Sequence, residues 1–503
     1  MLSSLSSWLR FRTVAYLTGR GLVFGSETEV FPHEATDLGK YALYADVGRH
    51  ARVDICDNSF DLFTPEAFDY VFVGRRLESV RDPEASLREA ISKLKVGGHL
   101  ILFLPLVKEQ ELVHSFTVAG IRSLVDTTGS WTAKDSYERD GWSLQIFKKT
   151  RGPRGITDWV KPTRPRALVA RYGALGDMVM VTPLLRHLAE DGYHVTVNCT
   201  RYSAPVLDNN PYVHNLIIQE RDAIPNHELG DYWSEWSNDY DRYINLSESI
   251  EGTLLKVEGR RDFYTRQQWR HERCNVNYYD YTMQRGGYPE SHGERGELYL
   301  SRVEEREARK FRNRYADKFL LVWALNGSSH HKVYGLFEPV LTDWLNGHPD
   351  AIAVTVGDHT ASLLEFEHTQ LVPKAGVWPI RTSLAMTKYA DLVVGPESVI
   401  TNAAGCFDTP KITFLSHSSH ENLCKYWLND YCLEPDPAVA PCYPCHQLHY
   451  TRPSCPLAEI KNDATGEPLV SGPLCSMGAI SGERVAARLS EVYDKWKARF
   501  ATI

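Results

Sequence analysis

The chain has 503 residues, with 56 Lys and Arg against 64 Asp and Glu, a formal net charge of −8, 43% hydrophobic residues and 24% charged residues. That length exceeds one ordinary hydrophobic core, so two or three globular domains are expected. The negative balance argues against broad electrostatic capture of nucleic acid, and no run reaches the roughly 18 apolar residues of a membrane span.

The first ten residues lack the charged, then apolar, then small-residue pattern of a secretory leader. A cytoplasmic protein is therefore expected, with peripheral contact to a membrane left open. Of the ten cysteines, Cys56, Cys199, Cys274, Cys406 and Cys424 are scattered, whereas four others cluster late in the chain. Such clustering favours a metal over disulfides.

Residues 1–150 read as a first α/β domain. Short buried strands are expected at 52–55, 68–73 and 99–104, and an amphipathic helix at 83–94 stopped by Gly97 and Gly98. The run Phe68-Asp-Tyr-Val71, with Leu77-Glu78, Asp82-Pro83, Leu94-Lys-Val-Gly-Gly98 and Leu104-Pro105, resembles the second half of class I S-adenosylmethionine-dependent methyltransferases. Their Gly-rich first loop has no counterpart here, because residues 45–48 carry a single Gly, and Ser79 stands where the pattern has His. A scaffold or partner surface is thus expected in place of methyl transfer, with S-adenosylmethionine a doubtful cofactor.

Residues 151–165 hold three Pro and two Gly and read as a linker. The next stretch, Arg171-Tyr-Gly-Ala-Leu-Gly-Asp-Met-Val-Met-Val-Thr-Pro183, follows the apolar run 167–170 and precedes a helically periodic segment. It should join a buried strand to a helix. Gly173 and Gly176 allow close backbone approach to a ligand, and the helix N-terminus offers N–H groups to a phosphate. Asp177 sits at the carboxyl end of the strand, where open α/β sheets bind ligands and where it could take a proton from an attacking hydroxyl. The bland alternative is an ordinary turn with Asp177 as a helix cap.

This turn, with Asp208-Asn-Asn-Pro-Tyr-Val213 downstream, resembles glycosyltransferase family 9, the ADP-heptose:lipopolysaccharide heptosyltransferases. The resemblance covers about two thirds of the chain. It implies a GT-B architecture, two Rossmann-like halves facing a cleft at 166–300 and 301–480, with Asp177 as general base and Gly176 and Thr182 on the donor side.

Further strands are expected at 194–198, 215–218 and 242–246. Lys256, Arg260, Arg261, Arg266, Arg270 and Arg273 then gather around Phe263, Tyr264 and Trp269. They form either a solvated helix face or an anionic acceptor cleft in which Arg266 and Arg270 bind the acceptor. A charged helix from 301 leads to a strand at 319–325 and the loop Asn326-Gly-Ser-Ser-His-His-Lys332. Ser328 and Ser329 can donate to a diphosphate while Lys332 supplies a positive charge, a use the resemblance supports. Strands at 351–356 and 390–395 follow, the second running into Pro396-Glu-Ser-Val-Ile-Thr-Asn-Ala-Ala-Gly405. That run is similar to the family's donor loop, with Glu397 for Asp, Ser398 retained, Val399 for Gly and Asn402 for His. A last strand at 409–415 ends in Ser416-His-Ser-Ser-His420, where His417 and His420 could touch donor or acceptor or be structural.

Cys442, Cys445, Cys455 and Cys475 have spacings of two, nine and nineteen intervening residues. Paired and distant thiolates of this kind can close a tetrahedral zinc or iron site, with His446 and His449 as alternative ligands. A comparable iron-holding finger occurs in the autotransporter heptosyltransferase branch of the resembled family. Residues 481–503 read as a closing helix with Val485, Leu489, Val492 and Trp496 on one face.

The implied reaction moves heptose or a related sugar from an ADP-heptose-like donor to a hydroxyl of an anionic glycan such as lipopolysaccharide core, without a catalytic metal. An acceptor that is a nucleic-acid base or a protein, and a non-catalytic nucleotide-sugar binding module, are the other readings.

Overall fold

A computed structural model describes residues 8–9, 12–13, 16–17, 21–24, 45–46, 55–56, 65–74, 83–106, 116–151, 154–158, 163–219, 228–246, 267–329, 332–446, 459–461, 468–471, 475 and 478–501. The chain divides into two compact units. The first comprises Met1–Pro165 together with Ile217–Asp241, and the second comprises Arg166–Leu216 with Arg242–Ile503.

The first unit is built on an eight-stranded sheet of β1 (Gly21–Phe24), β2 (Ala45–Asp46), β3 (Ile55–Cys56), β4 (Phe68–Gly74), β5 (Leu94–Pro105), β6 (Ser130–Arg139), β7 (Trp142–Lys149) and β8 (Gly155–Asp158). Its order is β3-β2-β1-β4-β5-β7-β6-β8. Strand alternation divides the apolar residues between two faces. Val71, Val73, Leu100 and Leu102 join a core under the helices Pro83–Ser92 and Val118–Asp126, to which Leu87, Ile91, Ile121 and Val125 contribute. Tyr70, Phe72, Ile101 and Phe103 face the other way, onto Trp8, Leu9 and Tyr232. Tyr232 comes from the helix Leu229–Asn238, so a segment from the middle of the chain completes this face.

Three expectations need correction here. Gly97 and Gly98 do not stop the helix, which ends at Ser92; they lie inside β5. Phe68 pairs with Leu94 and Tyr70 with His99, so the extra residues of β5 form a bulge, and Gly97 takes φ +88° there. Residues 45–48, compared above with the Gly-rich first loop, do not form a loop throughout, since Ala45–Asp46 is β2, paired with Leu22 and Val23 of β1. The loop that follows β1 lies outside the described residues, and with it the expectation about S-adenosylmethionine. The 151–165 stretch is not wholly a linker either, because β8 pairs in parallel with β6.

The second unit holds two parallel sheets. One has the order β11-β10-β9-β12, from β9 (Arg166–Arg171), β10 (His194–Thr200), β11 (Asn215–Gln219) and β12 (Arg242–Asn245), and the division of the chain falls inside β11, after Leu216. The other has the order β15-β14-β13-β16-β17, from β13 (Phe319–Ala324), β14 (Ala351–Val356), β15 (Leu371–Pro373), β16 (Leu392–Pro396) and β17 (Lys411–Phe414). In the second sheet β13 is buried at every position, as expected for a strand covered on both faces. The helices Phe337–Asn346 and Gly482–Ala501 share its core through Leu341, Trp344, Val485, Leu489 and Trp496, so the last helix closes the body as expected. A short antiparallel pair, β18 (Glu459–Lys461) with β19 (Pro468–Ser471), lies within the cysteine-bearing region. No helix among the described residues is long and apolar enough to cross a membrane.

Candidate functional site

In each sheet of the second unit the strand order reverses beside the first strand, between β9 and β12 and between β13 and β16. Open α/β sheets bind ligands outside the carboxyl ends of strands at such points. The segments that follow β9, β13 and β16 carry Asp177, in the first turn of a helix, and Lys332 and Glu397, in loops.

On the β13 and β16 side, Glu397 follows directly on β16 and its side chain is only 4% exposed. The loop after β17 wraps it. Ser416 N donates to Oε1 at 2.6 Å and Ser416 Oγ at 3.1 Å, while Ser418 N donates at 3.3 Å and Ser418 Oγ reaches Oε2 at 3.2 Å. His417 Nδ1 lies 2.7 Å from Oε2 and Lys332 Nζ 3.9 Å from the same oxygen. Burial opposes ionisation of Glu397, yet the His417 charge and hydrogen bond, Lys332 and the Ser416 N–H together hold its carboxyl well below the usual carboxylate range. Lys332 can approach because Gly327 has no side chain: a Cβ there would come within 2.7 Å of Lys332 Cβ and 3.2 Å of the Glu397 carbonyl oxygen. In the same loop Ser329 is buried and Ser328 exposed.

Ser398 N-caps the helix Val399–Cys406, on which Asn402 sits in the first turn. Ser398 Oγ and Asn402 Oδ1 are both buried and have no hydrogen-bond partner among the described residues. Orphaned polar atoms of this kind mark a place prepared for a polar ligand or water.

On the β9 side, the helix Leu175–Glu190 starts at the Gly-rich turn. Gly176 packs against the other half: a Cβ there would lie 2.7 Å from Asn402 Nδ2 and 3.8 Å from Val399 N. The two helix N-termini therefore meet, and the turn bearing Asp177 adjoins the helix start that follows Glu397. The Asp177 carboxylate accepts from Ala174 N at 2.9 Å and pairs with Arg171 Nη2 at 3.1 Å, with 35% of its side chain exposed. Arg171 in turn donates to the Leu246 carbonyl at the end of β12. Asp177 is thus both a helix cap and an accessible carboxylate.

Other expected residues fall elsewhere. Thr182 is fully buried, donates to Val179 O at 2.7 Å and accepts from Glu297 N at 2.8 Å, so its hydroxyl belongs to the core and not to a donor pocket. Arg270 is 5% exposed and donates from Nε to the Cys445 carbonyl at 3.0 Å, which makes it a brace for that loop and not an open acceptor-binding arginine. Arg266, Cys455 and His449 lie outside the described residues. His446 N donates to the His417 carbonyl at 2.9 Å and its ring faces His271 at 3.0 Å, so the Cys442–His446 stretch supports the loop around Glu397. Burial raises the Cys442 thiol above its usual range. Among the described residues, Cys442, Cys445 and Cys475 do not converge as a ligand group; His420, Asp430 and Cys432 do.

The Ser416–Ser418 cradle of Glu397 was visible in sequence only as a polar run near the site. His420, from the same run, turns away and lies 3.6 Å from Asp430.

No protein-family model matches the chain, and no curated protein matches it. Among solved structures, a glycosyltransferase family 9 protein from Veillonella parvula is similar with TM-score 0.45 and 14% identity, over 65% of this chain and 97% of that one. An iron-containing dodecameric glycosyltransferase from enterotoxigenic E. coli has TM-score 0.44 and 12% identity, over 72% and 84%. A Burkholderia thailandensis methyltransferase crystallised with S-adenosylhomocysteine has TM-score 0.25 and 14% identity, over 30% and 80%. At these scores the likenesses settle neither fold nor chemistry, which rest on the residues themselves.

Proposed function

We propose that the second unit is a glycosyltransferase that moves a sugar from a nucleotide diphosphate donor to an acceptor hydroxyl. The observation that carries this reading is the approach of Gly176 to Asn402 and Val399 N, which brings the Asp177 turn to the helix start beside Lys332 and Glu397. Asp177 would take the acceptor hydroxyl proton as the new bond to the anomeric carbon forms. The bond from that carbon to the diphosphate breaks, and the diphosphate leaves with the electron pair. Lys332, Ser329, Ser398 and the N-terminus of Val399–Cys406 would stabilise its growing charge. Glu397 is a positioning residue: its oxygens are occupied by serines and His417, and through them it fixes Lys332 and the loop.

The sequence resemblance supports an ADP-heptose-like donor and an anionic glycan acceptor such as lipopolysaccharide core. Spacing supports a structural zinc or iron staple of Cys442, Cys445, Cys455 and Cys475, whose closure requires the three described sulfurs to come together. No step of the transfer runs through that ion.

A second reading, a nucleotide-sugar binding module without turnover, is favoured by the engagement of Asp177 with Arg171 and Ala174 N–H. One experiment separates the two. The purified chain is incubated with a panel of sugar nucleotides, and release of nucleoside diphosphate is measured for wild type and Asp177→Asn. The amide keeps an acceptor for Ala174 N–H, so it should fold as wild type and turn over about 100-fold more slowly or less. Equal turnover by the variant removes Asp177 as base, and binding without turnover across the panel leaves the module.

A further inference from the structure

We propose that His420, Asp430 and Cys432 bind a divalent transition-metal ion of the zinc class, with water in the remaining position. The backbone brings the three together. Residues 429–433 run along the edge of β17, with Tyr431 N donating to Lys411 O and Leu433 N to Thr413 O. In such an extended run side chains two apart share a face, which puts Asp430 and Cys432 on one side. The helix His420–Leu423 opens with its capping residue Ser419 and sets His420 opposite them. His420 Nε2 lies 3.6 Å from Asp430 Oδ2, and one ligand atom of each of the three residues lies within 4.8 Å of the others.

These spacings are close to those of a loaded site. Bonds of 2.0–2.3 Å in a tetrahedron give ligand separations of about 3.3–3.8 Å, so side-chain shifts of roughly 1 Å would complete it. The donor set of one imidazole, one carboxylate and one thiolate suits zinc or a similar borderline ion.

A second observation points to a ligand. Asp430, its side chain 7% exposed, is held by hydrogen bonds from Cys432 and by the Lys411 charge, yet its buried Oδ1 has no hydrogen-bond partner among the described residues. A carboxylate oxygen in that position is costly without a cation or a donor. His420, 49% exposed, leaves a route from solvent. The charged group that faces Asp430 from β17 is Lys411, paired with it in an isolated bridge, and balance of Asp430 by Lys411 together with hydrogen bonding from Cys432 is the competing account. None of the three ligands belongs to the late cysteine set, and none touches the proposed reacting atoms. The ion would pin the start of His420–Leu423 to the 430–432 run and so hold the loop that cradles Glu397.

The test uses the full chain, stripped with a chelator and titrated with cobalt(II), whose thiolate charge-transfer band reports a cysteine ligand. Cys432→Ser should lose that contribution. His420→Gln and Asp430→Asn should bind at least about tenfold more weakly. Cys442→Ser, which affects the other sulfur set, should keep the contribution that depends on Cys432. Wild-type affinity and spectrum in both His420→Gln and Asp430→Asn would overturn the site and leave Asp430 to Lys411 and Cys432. The His420 change is at a half-exposed position, so it decides the matter even if Cys432→Ser does not fold.

Discussion

Glu397 carries its charge where water does not reach it, and the surrounding donors decide whether that charge stabilises the fold. Its carboxyl titrates below the ordinary value of 4.5, because His417, Lys332 and Ser416 N–H outweigh the burial that opposes ionisation. The sign follows from linkage. As pH falls, the unfolded carboxyl takes its proton first, so the stabilisation is complete above about pH 4.5 and drains away below it. Glu397→Gln should therefore cost about 3 kcal/mol at pH 7, as loss of a buried ionic partner does. The difference from wild type should shrink steadily between pH 4.5 and 3 in urea melts. A difference that stays constant over that range would show that the carboxylate charge is not what holds the loop. The sequence pointed to Glu397 through the similarity of 396–405 to a donor loop, but its partners could not be read there. Whether Ser416 and Ser418 meet a carboxylate 19 and 21 residues away depends on two strands lying side by side. Arg270 and Thr182 went astray for a related reason: residue type says nothing of burial, and both use their polar atoms inside the protein.

At the level of elements, one arginine links several pieces of the second unit. Arg381, on the helix Ile380–Thr387, donates from Nε to Glu304 Oε1 at 2.6 Å and from Nη2 to Oε2 at 2.9 Å. It also donates to the carbonyls of Tyr299 at 2.7 Å and Pro205 at 3.1 Å. Glu304 is the third residue of the helix Arg302–Asn313 and closes its capping box with Ser301. The Arg381 hydrogen bond, against the opposing effect of burial, holds its carboxyl down at about 2. A forked pair at a helix start, with two backbone carbonyls on the same guanidinium, ties both halves of the unit to the segment between them. Arg381→Ala should destabilise the second unit by about 3 kcal/mol, since it removes the charged partner of the Glu304 carboxylate and a donor from two carbonyls. A lower thermal midpoint for that unit is the readout, and an unchanged midpoint would show that water replaces the contacts. The strands were legible because β9, β13, β14 and β16 are short apolar runs bounded by turns. The bulge in β5 was not. Gly97-Gly98 after a helical pattern is also how a helix ends, and only pairing with β4 shows that the two glycines are inside a strand.

Across the whole chain, the sequence suggested contiguous domains, and the contacts do not follow that order. The helix Leu229–Asn238 falls between β11 and β12 in sequence, yet it belongs to the first unit. Tyr232 is buried there beside Trp8, Phe72 and Phe103, with Trp233 and Trp236 packed at its edge. Arg12 strengthens the attachment, pairing with Asp239 at 2.7 Å and Glu235 at 3.6 Å. A pattern reading assigns such a helix to its sequence neighbours, because nothing in its periodicity says which sheet face it covers. Burial of one tyrosine and parts of two tryptophans is worth on the order of 5 kcal/mol, a large share of the stability of a domain this size. A fragment of residues 1–165 should therefore leave the Tyr70, Phe72, Ile101 and Phe103 face partly uncovered, with Trp8 and Leu9 but without Tyr232, and melt well below the same unit in the full chain. A synthetic peptide of residues 228–241 should bind that fragment, shift tryptophan emission to the blue and raise its melting temperature. Replacing Tyr232 and Trp236 by Ala in the peptide should abolish the effect. A fragment that melts as the full chain does, and ignores the peptide, would show that this face is closed by residues 1–165 alone.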